Sequence, residues 1–297
     1  MSTRGREIME LAAANGGEVL FEASVGGGIP VIGPLKHSLL ANEIQSVMGI
    51  VNGTTNYMLT RMAAEGASYG EVLAAAQAAG FAEADPSADV DGLDAAAKIA
   101  ILASIAFNSR VTLDDVYTEG ITNIAPEDLD AAKDMGYAVK LLAIAHRCGA
   151  GIDVRVHPTM IPLGHQLATV GGVMNAVYVR GDAVGEVMFT GPGAGAGPTA
   201  SAVMGDALEA ARRIQAGAPA LVGCTCAQEL PIVPVTDLQT KYYIRFVVDD
   251  RPGVLAAMAQ VFADYDVSVR SVIQRGQKSG GVVTLAYVTH TAKESSI

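Results

Sequence analysis

A single lysine interrupts the most apolar helix that the sequence predicts, over residues 93–107. Lys98 stands there among alanine, isoleucine and leucine residues, and Asp94 precedes it by four positions. Residues four apart lie on one face of a helix, so the ammonium and the carboxylate can pair. One interpretation is an ordinary surface ion pair. The other is a lysine directed into a cleft, where it could donate a proton to a carbonyl or alkoxide oxygen.

An acidic loop precedes this helix. Residues 81–92 include Glu83, Asp85, Asp89 and Asp91. A run of charges is commonly a solvated surface loop, and that interpretation stays open here. In the alternative, the carboxylates hold the amino group of a small substrate while Lys98 faces its oxygen.

Two glycine-rich segments, residues 26–28 and 191–196, allow close approach of the backbone to a ligand. Residues 191–196, GPGAGA, formally fit GxGxxA between a predicted strand and a predicted helix. This is a weak indication of dinucleotide binding, because no acidic residue follows about 20 positions later in a strand. The histidines lack HxH and HxxxH spacing and the cysteines lack a CxxC pair, which argues against a transition-metal site.

Hydrophobic periodicity predicts the elements that position these residues. We predict a strand over 44–51, a turn at 52–56 whose Asn or Thr caps the next helix, and a capping box at Ser68 and Glu71. The segment 136–145 is left open between helix and strand. Helices are predicted over 6–15, 34–41, 57–65, 93–107 and 199–215, and further strands over 18–23, 152–158, 176–180 and 186–190, the last three in one antiparallel sheet. After a proline-containing linker, residues 242–289 follow a strand–helix–strand–strand pattern.

Composition excludes several classes of protein. With 20 basic and 31 acidic residues the net charge is −11, which argues against nucleic-acid binding. The longest apolar stretch, residues 95–107, is shorter than the ~20 residues that a membrane helix needs. No apolar segment follows the first arginines, so we predict no secretory signal and expect a cytoplasmic protein with a small-molecule partner.

Four segments carry a resemblance to a known family. Residues 76–98, AQAAGFAEADPSADVDGLDAAAK, resemble the signature of the homoserine dehydrogenases at every defined position. Residues 22–30, 49–56 and 191–200 resemble the same family in the same order. Residues 249–255, DDRPGVL, are similar to the opening of an ACT domain, the βαββαβ module that senses amino acids. The resemblance covers essentially the whole chain.

The resemblance implies a reaction and roles for four side chains. The family reduces L-aspartate 4-semialdehyde to L-homoserine with NAD(P)H, a step in threonine, methionine and isoleucine biosynthesis. By match, Lys98 supplies the proton to the substrate oxygen. Glu83 and Asp94 match the acids that hold the substrate, and Asp89 matches a nearby supporting carboxylate.

The resemblance also implies a cofactor and an ion. Gly80 and Gly195 match backbone positions beside NADP or NAD. In some relatives a monovalent cation such as Na⁺ binds the loop that follows Glu22. The ligands by match are the Glu22 carboxylate and the carbonyl oxygens of Val25, Gly27 and Ile29, which are oxygen donors of the kind that hard cations prefer.

The implied fold is α/β. It combines a remnant of a Rossmann-type nucleotide-binding domain, an α+β substrate and dimerisation domain with an antiparallel sheet, and a truncated C-terminal ACT domain of the ferredoxin-like type. The expected boundaries are 1–35 for the remnant, 36–190 for the substrate domain, 191–217 for a helix returning to the nucleotide-binding domain, 218–240 for a linker and 241–297 for the ACT domain.

Family members begin with a longer nucleotide-binding domain that bears GxGxxG, so we expect a fragment that binds cofactor poorly alone. We expect a homodimer or homotetramer, with threonine as effector near residues 250–254. One alternative is a catalytically silent fragment that serves as an amino-acid-binding or oligomerisation module. Another acid–lysine enzyme, such as an aldehyde-handling lyase, would leave the long pattern unexplained.

Overall fold

A computed structural model of the chain describes residues 1–218, 226–275 and 281–297. Residues 219–225 of the predicted linker, with Cys224 among them, lie outside these ranges. The helices are α1 Gly5–Ala14, α2 Gly53–Glu65, α3 Tyr69–Ala78, α4 Ser87–Val90, α5 Leu93–Ala106, α6 Pro126–Asp134, α7 Ala196–Ala216 and α8 Val254–Asp264. The strands are β1 Ile44–Ile50, β2 Tyr117–Thr118, β3 Tyr137–Cys148, β4 Gly151–Pro162, β5 Met174–Gly181, β6 Gly185–Pro192, β7 Gln239–Thr240, β8 Tyr243–Asp249, β9 Val269–Arg275, β10 Val282–Thr289 and β11 Ala292–Lys293.

The central sheet has the strand order β2-β4-β3-β1-β5-β6. The predicted strands β1, β4, β5 and β6 are confirmed, and all pairs in the sheet are antiparallel except β2 with β4. The open segment 136–145 is strand, because β3 pairs with β4 over its full length, from Tyr137 opposite Pro162 to Cys148 opposite Gly151. The predicted α/β class and sheet are confirmed.

The sheet packs its helices on one face. Strand side chains alternate between faces, so Val47, Ala143 and Val177 point towards the helices, and their neighbours point away. Helix α5 is the most deeply packed of these helices, with Ile99 and Leu102 fully buried. The other face carries a smaller apolar cluster, covered by the segment around Leu167, that consists of Ile50, Leu142, Ile144, Ile161, Leu167, Val170, Ala176 and Tyr178.

Local signals at the helix ends are confirmed. The side chain of Asn52 caps α2 by accepting a hydrogen bond from the backbone N–H of Thr55 at 2.9 Å. Ser68 and Glu71 form the predicted capping box of α3. Pro126 occupies the first turn of α6, where its missing N–H costs nothing. None of the described helices has the length and hydropathy needed to cross a bilayer.

Two local predictions are wrong. Residues 18–23 form no strand with any described residue, because an extended segment becomes a strand only beside a partner, and Glu22–Ser24 is a turn of 3₁₀ helix instead. The segment after Pro34 is a single π-helical turn, Pro34–Ser38, rather than a helix to residue 41. The domain boundaries listed above stay predictions.

Residues 242–297 build a second, smaller unit with the predicted strand–helix–strand–strand order. Its sheet has the order β8-β10-β9, with both pairs antiparallel, and α8 packs on it. Phe262 of α8 lies 5.0 Å from Tyr287 of β10, measured between ring centroids, and both are buried. The central strand β10 therefore carries the core of this unit.

A buried aspartate joins the two units. Asp128, in the first turn of α6, accepts a hydrogen bond from the backbone N–H of Ala125 at 2.9 Å. Its other oxygen accepts bonds from the hydroxyl of Tyr243 at 2.8 Å and from Nε of Arg245 at 2.6 Å. Because one carboxylate serves both the helix end and strand β8, its loss affects both units.

We expect Asp128→Ala to lower the free energy of unfolding by about 2–3 kcal/mol, because it leaves a helix N–H and a partly buried guanidinium without their acceptor. Urea denaturation followed by circular dichroism measures this. Asp130→Ala is the matched control, since Asp130 is exposed and lies 3.9 Å from Arg275, and we expect it to cost under about 0.5 kcal/mol. Equal losses of unfolding free energy in the two variants would show that Asp128 does not join the two units.

Candidate active site

Lys98, in the first half of α5, is held by two acceptors. Its Nζ lies 2.6 Å from Oδ2 of Asp94 and 2.9 Å from the carbonyl oxygen of Val51, which directly follows β1. The side chain of Lys98 is only 20% exposed and that of Asp94 33%, so this is not an ordinary surface pair. An ammonium has three donors. Two are engaged, and the third can reach a ligand oxygen on the open side.

Asn52 ties the acids to the end of β1. Its Nδ2 donates to Oδ2 of Asp94 at 2.9 Å and to Oδ1 of Asp89 at 2.6 Å, while its Oδ1 caps α2. Asn52 is 6% exposed. The amide therefore orients both carboxylates at once, and Asp94 serves Lys98 and Asn52 with a single oxygen.

The loop that carries Glu83 docks on α2. The hydroxyl of Thr54 donates to the carbonyl oxygen of Phe81 at 2.6 Å, and the ring of Phe81 lies 4.9 Å from that of Tyr57. Glu83 itself is exposed; its backbone carbonyl accepts a bond from Gln77, and its carboxylate forms no hydrogen bond or ion pair with a described side chain. The loop is thus fixed beside Asn52 while the Glu83 carboxylate stays available.

Backbone lines the wall next to this cluster, and glycine is required there. A Cβ on Gly27 would meet the carbonyl oxygen of Gly193 at 2.5 Å, and one on Gly193 would meet the Asn175 side chain at 1.9 Å. A Cβ on Gly53, the first residue of α2, would meet the carbonyl oxygen of Val173 at 3.0 Å. The segments 26–28 and 191–195 are therefore in direct contact, and segment 52–53 is linked to them through Val173 and Asn175.

Asn175, beside these glycines, has an unpaired side-chain oxygen. The side chain is 1% exposed, yet its Oδ1 has no hydrogen-bond partner among the described residues. Buried polar atoms are almost always paired, and an unpaired one needs an explanation such as a water or ligand donor. The orphan oxygen lies beside both Gly53 and Gly193.

Glu22 is engaged with backbone donors. Its Oε1 accepts bonds from the N–H groups of Val31 at 2.6 Å and Ile32 at 2.8 Å, and its Oε2 accepts one from Gly33 at 2.6 Å. The carboxylate thereby fixes the turn that follows the glycine segment. A cation at this loop would have to share these oxygens, so the ligand set of Glu22, Val25, Gly27 and Ile29 stays a prediction.

Comparison with known proteins identifies the family. The homoserine dehydrogenase family model matches residues 30–208 and the ACT domain model matches residues 242–297. A homoserine dehydrogenase from Synechocystis is 50% identical over 300 residues, which cover 98% of this chain and 69% of that protein. The chain belongs to the homoserine dehydrogenase family. It is an oxidoreductase of that family with an ACT domain, as the motifs indicated.

Solved structures of homoserine dehydrogenases share the fold. The enzyme from Thiobacillus denitrificans superposes with a TM-score of 0.93 at 42% identity, covering 99% of this chain and 68% of that one. A hyperthermophilic archaeal homoserine dehydrogenase, solved in complex with NADPH, has a TM-score of 0.62 at 30% identity and covers 71% of this chain and 61% of that one. The family uses NAD(P).

The structure brings together three of the four side chains to which the sequence assigned catalysis and substrate binding. Lys98, Asp94 and Asp89 share one hydrogen-bond network, whereas Glu83 lies on the adjoining loop without contacting them. Gly80 ends α3 with φ +74°, and Gly195 precedes α7 with φ +119°, so both have a conformational reason to be glycine. The assignment of roles to these residues stays a prediction.

Two asparagines of the site are not indicated by the sequence patterns. The sequence indicates Asn52 only as a candidate helix cap, and the signal for its second role is an amide directly after a buried strand. Asn175 had no local signal, because its contacts come from segments distant in the chain.

A buried lysine of β3 links helix α2 to the segment that precedes β5. Lys140 of β3 donates to Oδ1 of Asn56 at 3.1 Å and to the carbonyl oxygen of Val170 at 2.6 Å. Asn56 in turn donates to the carbonyl oxygens of Val170 and Met174. This network fixes α2 to the segment that leads to Asn175. With no carboxylate among these contacts, burial lowers the pKa of Lys140 to about 8.

We expect this pKa to make stability depend on pH. The unfolded chain keeps the Lys140 proton up to its ordinary pKa of 10.5, whereas the folded chain releases it near 8. Between these values the unfolded state binds more protons, so the free energy of unfolding rises with pH, by up to about 3 kcal/mol. Below pH 8 the cost of burying the charge is fully present.

The measurement is urea unfolding of the parent and of Lys140→Met from pH 7 to pH 10.5. The parent should gain stability relative to the variant across the alkaline window. Lys133→Met, which removes an exposed lysine of α6, should follow the parent. Parallel curves for the parent and Lys140→Met would show that Lys140 does not titrate there.

Proposed function

We propose that the chain catalyses the reduction of L-aspartate 4-semialdehyde to L-homoserine through the cluster of Lys98, Asp94, Asp89 and Glu83. The observation that carries the proposal is the Lys98 ammonium, held at 2.6 Å from Asp94 and 2.9 Å from the Val51 carbonyl with one donor left over. A fixed cation with a remaining donor suits the oxygen of a polarised carbonyl.

Lys98 acts as the general acid. The remaining N–H binds the aldehyde oxygen, and its proton moves to that oxygen as negative charge develops there. The Asp94 carboxylate holds the ammonium in position and stabilises its charge before transfer. Because the Lys98 side chain is 20% exposed, solvent reaches it and the neutral amine regains its proton from water.

The acids bind the amino group of the substrate. Glu83 offers a carboxylate that is unengaged by described side chains, on a loop fixed by Thr54. Asp94 is shared between Lys98 and the substrate, and Asp89 supports it through Asn52. Charge-assisted bonds of this kind are about twice as strong as neutral ones, so they orient the aldehyde towards Lys98.

The wall of glycines fits a nicotinamide cofactor. NADPH or NADH would supply the hydride to the aldehyde carbon when it is bound. The residues that would hold it here are Gly80, Gly195 and the glycine-rich segments 26–28 and 191–195, of which Gly27 and Gly193 lie in close contact. The unpaired Oδ1 of Asn175 provides a hydrogen-bond acceptor for an amide donor at that surface.

The remaining parts of the proposal follow the family resemblance. A monovalent cation such as Na⁺ would bind at Glu22, Val25, Gly27 and Ile29. An amino acid, threonine in the first instance, would bind the smaller unit at 250–254, where Gly253 adopts φ +92° before α8. The enzyme would work in the cytoplasm as a homodimer or homotetramer. Strand β6 supports assembly, since its outer edge pairs with no described strand.

We expect Lys98→Ala to reduce kcat by roughly 10²–10⁴, the range for loss of a general acid. The assay follows reduced nicotinamide by absorbance with homoserine and NADP, on this chain and on the chain joined to a nucleotide-binding domain of a homoserine dehydrogenase. Lys133→Ala is the surface control. A loss under about threefold would remove the proton-donor role, and no turnover by either folded protein would favour the amino-acid-binding module.

Glu83→Gln should instead raise KM for the substrate roughly tenfold or more, with a smaller change in kcat, because a charged acceptor for the ammonium is lost. Asp85→Asn is the matched control on the same loop, where Asp85 serves the N–H of Ser87. An unchanged KM in Glu83→Gln would show that Glu83 is a solvated loop residue and does not bind the substrate.

A further inference from the structure

Three donor groups of different chemistry meet at the end of the β3–β4 hairpin, away from the active site. His146 and Cys148 alternate on β3, so their side chains share a face, and Asp153 lies directly opposite His146 on β4. The Sγ of Cys148 lies 3.7 Å from Nδ1 of His146. One donor atom from each of the three residues lies within 4.8 Å of the others.

This donor set matches a transition metal rather than a hard cation. Thiolate, imidazole and carboxylate are the ligands of Zn²⁺, with metal–ligand distances of about 2.0–2.3 Å. A tetrahedron of that size places its ligand atoms roughly 3.3–3.7 Å apart, so the Cys148–His146 pair already has the required spacing. Both residues are exposed, so rotation of their side chains can close the remaining gap to Asp153.

Arg155 holds the third ligand in place. It forms an ion pair with Oδ2 of Asp153 and donates from Nε to Nε2 of His157 at 3.0 Å. The Asp153 side chain is 5% exposed, so Arg155 and the surrounding strands limit the positions open to it. Arg155 leaves Oδ1 of Asp153 for a metal, and a thiolate and a carboxylate together balance the positive charges of Arg155 and Arg180, which both act on His146.

We propose that His146, Cys148 and Asp153 bind one Zn²⁺-type ion, with water in the fourth position, and that the ion clips β3 to β4. The site borders the segment that leads to the smaller unit. Ile152 receives a hydrogen bond from the N–H of Val233 at 2.8 Å and donates one to the carbonyl oxygen of Pro231 at 2.9 Å. The ion therefore stabilises the hairpin to which this segment is attached.

The site is separate from the catalytic cluster. His146 lies opposite Ser46 near the start of β1, and Asn52 follows Ser46 by six residues. At about 3.3 Å per residue this is roughly 20 Å along the sheet. Zn²⁺ should therefore change stability and leave the chemistry at Lys98 unaffected.

The test is a titration of the full chain with ZnSO₄ by calorimetry and with CoCl₂ by absorption spectroscopy. We expect one ion per chain, a thiolate-to-cobalt charge-transfer band, and a higher melting temperature with Zn²⁺. Cys148→Ser should abolish the band and weaken Zn²⁺ binding roughly tenfold or more. Asp153→Asn should weaken binding while keeping the band.

Cys226→Ser is the matched control, since it removes a cysteine outside the cluster, and its band and affinity should equal those of the parent. Absence of binding by the folded parent would overturn the proposal. So would a band that survives in Cys148→Ser, or one that is lost in Cys226→Ser, because the thiolate ligand would then be another cysteine.

Discussion

The ammonium of Lys98 is the constraint around which the site is built. It stands on the helix that packs most deeply against the sheet, where a charge is stable only with acceptors in reach. Asp94 comes from the same helix, one turn earlier, and the Val51 carbonyl comes from the end of β1. The position of α5 on the sheet therefore sets the position of the charge, and any shift of that helix would separate Lys98 from one of its acceptors.

Asn52 extends this constraint to the rest of the site. Its amide caps α2 with one atom and binds two carboxylates with the other, so the strand end, the helix start and the acidic loop move as one. The next residue, Gly53, packs on the segment of Val173 and Asn175, which in turn contacts Gly193. The proton donor and the proposed cofactor segments are thus connected through close contacts of Gly53 and Gly193 that leave no room for a side chain at either glycine.

The smaller unit reaches this core through α6. Asp128 binds Tyr243 and Arg245 of β8 while it caps the helix, and α6 packs against β3 and α2. The proposed metal cluster lies on β3 as well, at its opposite end. Strand β3 therefore contacts α2, α5 and α6, and the buried Lys140 lies in its first half.

The sequence alone determined much of this protein, because the decisive signals were local. The capping box at Ser68, the period of the sheet strands and the pairing of Asp94 with Lys98 depend on neighbours within a few residues. The motif at 76–98 indicates the family because it too is a contiguous segment of the chain. Tertiary structure decided what depends on distant partners. The predicted strand at 18–23 has no partner among the described residues, and the segment 136–145 is a strand because it pairs with β4. The surroundings of Asn52, Asn175 and the His146–Cys148–Asp153 cluster come from segments that are distant in the chain or lie on another strand. Local patterns predict how a segment folds, whereas the meeting of two segments is set by packing that no single segment encodes.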